Sequence, residues 1–411
     1  MQPMPFLRDI AYSLLLPVLA LYALYSRCKG HPARKGLAGK LGFGASLPPH
    51  KKRILLHAVS VGEVNAIKTL VSDLQLQGFD VVICVTTDTG MDRANVLFSD
   101  TCEVTRYPFD FSCAVKRFIT RVQPSVVALV ELEVWPNFIA RCKKQHIPVV
   151  IINGRLSERS FKRYSIAKPL LKNTFKSIAA IGMQNESYAT RVRTLGATNV
   201  SVQGTMKWDN AIIADTIDGA KQLSAELRIR SDVPLVVAGS TTPDEHALLL
   251  ECIPDGVQLL VAPRRPEWFD DAVKTLHPCN RRTSEERVET NHFVLDTIGE
   301  LDKAYALADV VVIGRSFVPM HGSDPTVAVA LGKPTIIGPN ASDFADIVQV
   351  LLDAEGIVQC TKEQLSSTLA RLLQCNEQQT SLRLNGKKII AEYQGATKRY
   401  EQLIIENTPH A

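Results

Sequence analysis

Short apolar runs alternate with segments of helical spacing along most of the chain. The runs before residue 209 read RILLHAVS, DVVICVTTD, SVVALVELE, PVVIING, SIAAIGMQ and NVSVQG. The runs after residue 232 read PLVVAGS, VQLLVAP, HFVLDT, DVVVIG, PTIIGP and GIVQC. Continuous apolar, β-branched runs are typical of parallel strands that are covered on both faces. Their alternation with helical segments predicts βαβ units throughout.

A polar stretch from Asp209 to Asp232 contains no strand run and separates the two sets. We therefore predict two doubly wound, Rossmann-like α/β domains, residues 31–225 and 226–411, with a cleft between them. In such sheets, ligands bind beyond the carboxyl ends of the strands. The strand ends contain no G-x-G-x-x-G or Walker motif, which argues against a dinucleotide or P-loop site.

Residues 1–30 differ from the rest and predict a membrane anchor. The segment from Ile10 to Ser26 carries no charge, although it is slightly short of the roughly 20 residues that span a bilayer. Basic residues follow it, which predicts that the remainder of the chain stays in the cytoplasm. A cleaved signal peptide is the alternative. It is disfavoured because Arg8 is offset by Asp9 and no small-residue cleavage site follows.

Composition and charge argue against nucleic-acid binding, a disulfide-linked fold and a metal site. The net charge of +5 is small, and the sequence has no basic stripe with interleaved aromatic residues of the kind that binds nucleic acids. The nine cysteines form no C-x-x-C pair, which favours reduced thiols. The sequence contains no H-E-x-x-H motif and no Asp-rich loop, so it does not predict a dedicated metal site.

The stretch HAVSVGEVNA, residues 57–66, places Glu63 where a strand is expected to become a helix. Ser60 and Glu63 fit the S-x-x-E capping box, in which the glutamate bonds back to the backbone of the cap residue. The motif alone favours this capping role, although a carboxylate at such a turn can also accept a proton from a bound substrate. The local pattern leaves both roles open.

Several stretches, in order, resemble the 3-deoxy-D-manno-octulosonic acid (Kdo) transferases of lipopolysaccharide synthesis. They are RKGLAGKLGFG, HAVSVGEV, ELEVWPN, NGRLSERSFKRY, GTMKWDN, AGSTTPDE, APRRPEW and GKPTIIGP, together with the apolar N-terminus. The resemblance implies a GT-B glycosyltransferase at the inner membrane, with its catalytic domains on the cytoplasmic face. It implies inverting transfer of Kdo from the co-substrate CMP-Kdo to a lipid A precursor, lipid IVA, without a metal or other cofactor.

The resemblance also implies roles for three residues. Glu63 matches the family's general base, and Glu133 and Lys207 match positions that stabilise the transition state. Charge develops in the transition state of the transfer, and charged groups held in position stabilise it. From local signals alone, Glu133 is equally a solvated loop acid, and Lys207 a surface lysine.

The second half is expected to bind CMP. Arg264 and Arg265 end a strand and suit phosphate binding, although most of the family has Arg-His there. Gly299, Glu300 and Leu301 match the family's nucleotide-binding G-E-L, and Ser316 matches the serine of its G-G-S turn. Surface charge for the arginines and ordinary turn chemistry for the other residues are the alternatives. AGSTTPDE also fits a capped helix, with Thr242 as cap and Glu245 closing the box.

The loop expected to hold the donor departs from the family. Where the family has G-G-H-N-P-L-E-P, this chain has HGSDPTVA, in which the substrate-binding positions are Asp324, Pro325, Thr326 and Val327. Ser323 replaces the histidine. Val327 replaces a glutamate that in such enzymes binds the ribose hydroxyls, and valine cannot accept those hydrogen bonds.

The expected acceptor is a phosphorylated membrane lipid. Arg155, Arg159, Lys162 and Arg163 lie close together in the sequence and suit lipid phosphates, although such a cluster is also typical of a solvated helix face. Two other functions remain open. One is a nucleotide-sugar epimerase on the same frame, and the other is a diverged, non-catalytic relative with altered donor binding.

Overall fold

Two separate seven-stranded parallel sheets organise the chain. The structure is a computed structural model and describes residues 8–10, 12–14, 36–50 and 52–409. It divides into two compact units. The first comprises Met1–Asp209 and Gly395–Ala411, and the second comprises Asn210–Gln394.

The first unit is built on a sheet with the strand order β3-β2-β1-β4-β5-β6-β7. Its strands are β1 (Arg53–Ala58), β2 (Asp80–Val85), β3 (Glu103–Arg106), β4 (Val126–Val130), β5 (Val149–Gly154), β6 (Ala180–Met183) and β7 (Val200–Val202). Every residue of β1, β4 and β5 is buried, as expected for strands covered on both faces. The order reverses between β1 and β4, so this unit has its topological switch point there.

Helices connect these strands. They are α1 (Leu37–Lys40), α2 (Val61–Ala66), α3 (Lys68–Leu76), α4 (Asp88–Phe98), α5 (Ser112–Val122), α6 (Pro136–Lys144), α7 (Glu158–Ile166), α8 (Lys168–Phe175) and α9 (Glu186–Leu195). A 3₁₀ helix, Trp208–Asn210, follows β7. Side-chain caps at Ser60, Thr87, Ser157 and Asn185 begin four of the helices and satisfy backbone N–H groups that lack a partner within the helix.

The second unit has the strand order β10-β11-β9-β8-β12-β13-β14. Its strands are β8 (Leu235–Thr241), β9 (Gln258–Pro263), β10 (Asn280–Arg281), β11 (His292–Val294), β12 (Val310–Ile313), β13 (Thr335–Ile337) and β14 (Val358–Gln359). Here the order reverses between β8 and β12. The carboxyl ends of those two strands are therefore the expected ligand position in this unit.

The helices of the second unit follow its strands in the same alternation. They are α10 (Ala220–Leu227), α11 (Pro243–Cys252), α12 (Phe269–Thr275), α13 (Leu301–Leu307), α14 (Thr326–Ala330), α15 (Ala345–Asp353), α16 (Lys362–Gln374) and α17 (Asn376–Tyr393). Short 3₁₀ helices occur at Pro266–Trp268 and Ser342–Phe344.

The last helix, α18 (Ala396–Glu406), belongs to the first unit. Tyr400 and Ile404 are fully buried in the core of that unit, and the Tyr400 hydroxyl donates to the carbonyl of Gly204 at 2.7 Å. The Asp209 carboxylate accepts from the N–H of Gly395 at 2.6 Å. The contact boundaries therefore fall at Asp209 and Gly395. The boundary at Gly395 arises because the apolar face of the last helix is buried in the core of the first unit. The boundary at Asp209 lies before the predicted division at residue 225 because α10 packs on α13 of the second unit.

Each predicted run forms a strand, and each sheet contains one strand that the runs did not indicate. These additional strands are β3 and β10, and both lie at the edge of a sheet. Their sequences, EVTR and NR, are short and polar. An edge strand is buried less completely than a central one and therefore needs no continuous apolar run.

Most of the predicted anchor, from Ile10 to Ser26, lies outside the described residues. Residues 8–10 and 12–14 are helical, and Tyr12 donates from its hydroxyl to the Asp110 carboxylate at 3.2 Å. The Asp9 carboxylate accepts from the N–H of Ser112, the first residue of α5, at 3.0 Å. Within the described parts of the chain, no helix has the length and apolar character needed to cross a membrane.

Candidate active site

The Glu63 carboxylate lies at the turn from β1 into α2, beside the switch point of the first unit. Its Oε2 accepts from the N–H of Val59 at 2.7 Å, and its Oε1 accepts from the Ser60 hydroxyl at 2.9 Å. Ser60 is the helix cap and accepts from the N–H of Glu63 at 3.5 Å. The predicted capping arrangement is thus present, except that Glu63 reaches the backbone of Val59 rather than that of Ser60.

The environment of Glu63 favours its protonated form. The pKa of Glu63 is raised to about 7, chiefly by burial and in smaller part by the charges of Glu131 and Glu133, while the hydrogen bonds from Val59 and Ser60 act in the opposite direction. The side chain is only partly buried, so a ligand can reach it. A carboxyl group with a pKa near neutrality can both accept and release a proton at physiological pH, as a general base requires.

Glu131 and Glu133 follow β4, the strand next to β1. The Trp135 indole donates to Glu133 Oε2 at 2.9 Å, so Glu133 is anchored rather than freely solvated. Burial raises the pKa of both carboxyls. Glu131 has a φ of 58°, a left-handed conformation that is uncommon and costly for a residue other than glycine.

Lys207 lies in the loop after β7, and its charge acts on Glu131. The positive charges of Arg155 and Lys207 lower the pKa of Glu131 and offset part of the rise that burial causes. The Asn153 carboxamide oxygen accepts from the N–H of Met206, the neighbour of Lys207, at 3.2 Å. Asn153 is the penultimate residue of β5 and therefore connects the loop of Lys207 to the carboxyl edge of the sheet.

His57, near the end of β1, is not an accessible base. It is fully buried and stacks on Tyr107 with ring centroids 3.9 Å apart. Its Nδ1 lies 3.0 Å from the carbonyl oxygen of Cys84. Burial lowers the pKa of His57 to about 4, so the ring is neutral and inaccessible.

The second unit contains a cavity of about 290 Å³ at its own switch point. Several residues that the sequence predicts for donor binding line this cavity: Arg264, Leu301, Asp324 and Val327. Ser240, Asp302, Tyr305, Arg315, Ser323 and Phe344 complete the lining. These four predicted donor residues thus line one cavity although they follow different strands.

Glu245 organises the turn beside this cavity. Its Oε2 accepts from the N–H groups of Thr242 at 3.0 Å and Arg315 at 2.8 Å, and its Oε1 accepts from the N–H of Phe317 at 3.1 Å. The predicted capping box of α11 is confirmed. Ser316, within the same turn, is fully buried, and its hydroxyl donates to Ile313 and accepts from Gly338. Ser316 therefore holds the turn together from inside the fold.

The remaining predicted donor residues occupy different surroundings. The Arg265 guanidinium lies over the Trp268 ring, 5.0 Å from its centroid, and is not part of the cavity lining. Gly299 has a φ of 97°, which glycine adopts without strain. Glu300 pairs with Arg282 and Lys303 at 3.1 and 3.2 Å, so its carboxylate stabilises the fold before α13.

The loop that departs from the family forms the start of α14. Asp324 Oδ1 accepts from the N–H of Thr326 at 2.9 Å and from the Thr326 hydroxyl at 2.7 Å. Pro325 precedes the first helical residue. Thr326 is fully buried, whereas Val327 is partly exposed and lines the cavity.

Sequence reasoning did not single out Glu131 or Arg315. Glu131 directly follows a predicted strand, but the family match falls on Glu133. Arg315 lies in a turn in which the family match falls on Ser316. Both share one structural signal that sequence alone does not reveal, a positive φ in a residue other than glycine. Among the described residues, no group of three or more His, Cys, Asp or Glu side chains is arranged to hold a metal ion.

The predicted basic cluster lies at the end of β5 and on α7. Arg155, Arg159, Lys162 and Arg163 are all exposed, and Lys162 pairs with Glu158 within the helix at 3.1 Å. Helix α7 contains no buried residue. Its basic side chains therefore face solvent, whereas Phe161 and Tyr164 pack against the core of the first unit.

Comparisons with known proteins agree with the sequence motifs. The family described as 3-deoxy-D-manno-octulosonic-acid transferase (kdotransferase) matches residues 35–210. A 3-deoxy-D-manno-octulosonic acid transferase of Haemophilus influenzae is 32% identical, over 95% of this chain and 96% of the relative. A protein of the same name from Bordetella pertussis is 29% identical, over 77% of each chain.

The fold has solved counterparts. A glycosyltransferase from Rickettsia africae superposes with a TM-score of 0.61 over 88% of this chain and all of that one, at 10% identity. This likeness shows the fold alone, and it agrees with two parallel-sheet α/β domains of the GT-B kind. The identity, coverage and order of motifs together show that this chain belongs to the family of 3-deoxy-D-manno-octulosonic acid transferases, which are Kdo glycosyltransferases.

Proposed function

We propose that this chain transfers Kdo from CMP-Kdo to a lipid A precursor, lipid IVA, with Glu63 as general base. The observation that carries the proposal is the carboxylate cluster of the first unit, in which burial raises the pKa of Glu63 to about 7. Membership of the Kdo transferase family supplies the sugar and its place in lipopolysaccharide synthesis.

The reaction is a single displacement with inversion. An acceptor hydroxyl oxygen bonds to the anomeric carbon of Kdo while the bond from that carbon to the CMP phosphate oxygen breaks. CMP leaves with the bonding electrons, and Glu63 takes the hydroxyl proton. Glu63 is suited to this step because it follows β1 at the switch point, where ligands bind in such sheets.

Glu133 and Lys207 act on charge that develops during the transfer. Trp135 anchors Glu133, and the Asn153 contact restrains the loop that carries Lys207. Charged groups that are positioned in advance stabilise a transition state without reorganisation during the reaction. Residues of the chain perform these steps without a metal ion or other cofactor.

The donor binds in the cavity of the second unit. Arg264 binds the phosphate of the donor, because guanidinium groups donate charge-assisted hydrogen bonds to phosphate oxygens. The carboxylates of Asp302 and Asp324 line the same cavity and provide acceptors for hydroxyl or amino groups.

The acceptor is reached at the cytoplasmic face of the inner membrane. Exposed Arg159 and Lys162 on α7 provide attraction to anionic lipid of about 1 kcal/mol per charge near the surface. Two apolar side chains nearby, Ile166 and Leu170, are 86% and 64% exposed and can enter the lipid interface. The apolar N-terminus supplies a second attachment.

The decisive experiment incubates the full-length protein with CMP-Kdo and the tetraacylated precursor. CMP release together with a lipid that gains the mass of one or more Kdo residues supports the proposal. An altered sugar nucleotide without transfer supports the epimerase, whose domains share this architecture. Nucleotide binding without any turnover identifies a non-catalytic relative.

A further inference from the structure

Arg315 occupies the ligand position of the second unit. It follows β12, and Ser240 lies within β8, so the two residues flank the switch point where ligands bind in doubly wound sheets. Arg264 follows β9 and lines the same cavity of about 290 Å³. Two guanidinium groups from different loops therefore face one ligand-sized space.

The backbone of Arg315 is held in a left-handed conformation, with a φ of 60°. This conformation is disfavoured for residues with a Cβ atom. Glycine occupies this position in the G-G-S turn that the chain resembles, and it adopts such a φ without strain. The buried Glu245 carboxylate fixes the conformation by accepting from the N–H groups of Arg315 and Phe317. Strain maintained at a loop tip is an indication of function.

The guanidinium of Arg315 has no close carboxylate partner within the described chain. Its Nη2 donates to the carbonyl of Met320 at 2.8 Å, and the nearest paired acid, Asp343, is 4.0 Å away and 55% exposed. Arg264 makes no ion pair among the described residues. Burial and the neighbouring charges of Arg315 and Arg265 lower the pKa of Arg264, which shows that the cations repel one another.

A third group in the cavity also lacks a partner. The Ser323 hydroxyl is buried, in a residue that is 6% exposed, and has no hydrogen-bond partner among the described residues. These two cations and the unpaired hydroxyl can all donate to one oxyanion, because its oxygens accept from all three. The carboxylates of Asp302 and Asp324 line the same cavity and can accept from hydroxyl or amino groups of the same ligand.

We propose that Arg315, together with Arg264, binds the phosphate of the nucleotide donor, and that Arg315 provides a contact that glycine at this position cannot make. The inference deepens the proposed function, since it rests on a CMP-linked donor in this cavity. It explains how the chain retains the donor with Val327 in place of the ribose-binding glutamate. In this chain, contacts to the phosphate supply affinity that the family obtains from contacts to the ribose.

The test is calorimetric titration of the full-length protein with CMP and with cytidine. Arg315→Gly should weaken CMP binding by about 10- to 100-fold, because one charge-assisted contact is lost. Binding of cytidine should not change. The same variant should unfold at an equal or higher temperature, since glycine relieves the backbone strain. Arg315→Lys should bind CMP with an affinity between those of the wild type and Arg315→Gly. The control variant Arg371→Gln removes an exposed charge elsewhere in the second unit and should bind CMP as the wild type does.

Each other outcome contradicts a different statement. Equal CMP affinity in the wild type and in Arg315→Gly overturns the role of Arg315 and leaves the proposed function intact. Weaker binding of CMP-Kdo with unchanged binding of CMP assigns Arg315 to the sugar carboxylate and overturns the phosphate site. A folded wild-type protein that binds no CMP overturns this inference together with the proposed donor.

Discussion

Glu63 Oε2 accepts a 2.7 Å hydrogen bond from the backbone N–H of Val59, four residues before it in the chain. The carboxylate thus supports the start of α2 while it remains partly exposed. Each carboxylate oxygen can accept more than one hydrogen bond. Capping and proton transfer are therefore compatible at this position.

Replacing the Glu63 carboxylate should separate its two roles. Glu63→Gln retains the size and one hydrogen-bond acceptor, so we expect nearly normal stability. Turnover should fall about 100-fold or more, because the group that takes the acceptor proton is lost. The measurement is CMP release, combined with thermal unfolding. Glu363→Gln is the matched control, since Glu363 is also in the first turn of a helix and belongs to no predicted site. Unchanged turnover in Glu63→Gln would leave only the capping role.

The activity should depend on the ionisation of Glu63. Since burial raises the pKa of Glu63 to about 7, kcat/KM should decline about tenfold per pH unit below that value. A profile without an ionisation between about pH 6 and 8 would contradict the assignment.

The same pKa has the opposite consequence for stability. A carboxyl whose folded pKa is raised above its unfolded value contributes stability at low pH, and this contribution is lost as the pH rises through about 7. Wild-type stability should therefore decline relative to Glu63→Gln between about pH 5 and 8. Urea denaturation at several pH values measures this difference, and parallel curves for the two proteins would argue against a raised pKa.

Val327→Glu should tighten binding of CMP. Asp324 Oδ1 is occupied by Thr326, whereas Val327 is partly exposed to the cavity. A new carboxylate at position 327 can accept from the ribose hydroxyls, for an expected gain of about 10- to 100-fold in affinity. Calorimetry with CMP and cytidine measures it, with Val327→Gln as the uncharged control. Weaker binding would mean that the ribose lies elsewhere.

Removal of residues 1–26 should leave a folded chain of reduced stability. Asp110 keeps hydrogen bonds from the N–H groups of Asn137 and Phe138 but loses the bond from Tyr12. We expect a loss of about 1–3 kcal/mol, because buried polar groups lose partners. Denaturation followed by circular dichroism measures it, with Tyr12→Phe isolating the contribution of one hydrogen bond. Loss of cooperative unfolding would show that the segment completes a core.

The last helix should be essential to the first unit. Tyr400 is fully buried among the residues of that core, and its hydroxyl is bonded to Gly204. Tyr400→Ala should lower the free energy of unfolding by about 3–5 kcal/mol, as expected for a large aromatic residue in a core. Tyr393→Ala, at the half-exposed end of α17, serves as the comparison and should have a small effect. Comparable losses in both variants would argue against this packing.

Twelve of the fourteen strands in the described part of the chain, and the strand ends that carry the candidate site, can be read from the sequence alone. Strands covered on both faces require continuous apolar runs, and these are visible without coordinates. The position of Glu63 follows from a local strand-to-helix turn with its own capping signal. The apolar pattern does not predict short polar edge strands such as β3 and β10, because an edge strand can form with little apolar surface buried.

Contacts between residues that are distant in the sequence become visible only in the folded chain. Packing of Tyr400 assigned the C-terminal helix to the first unit, and the proximity of Lys207 to Glu131 depends on loops that follow different strands. The same holds for Arg315 and Arg264 in one cavity. Burial and electrostatic coupling arise only after the chain is folded, and they convert Glu63 from an ordinary cap into a carboxyl with a pKa of about 7.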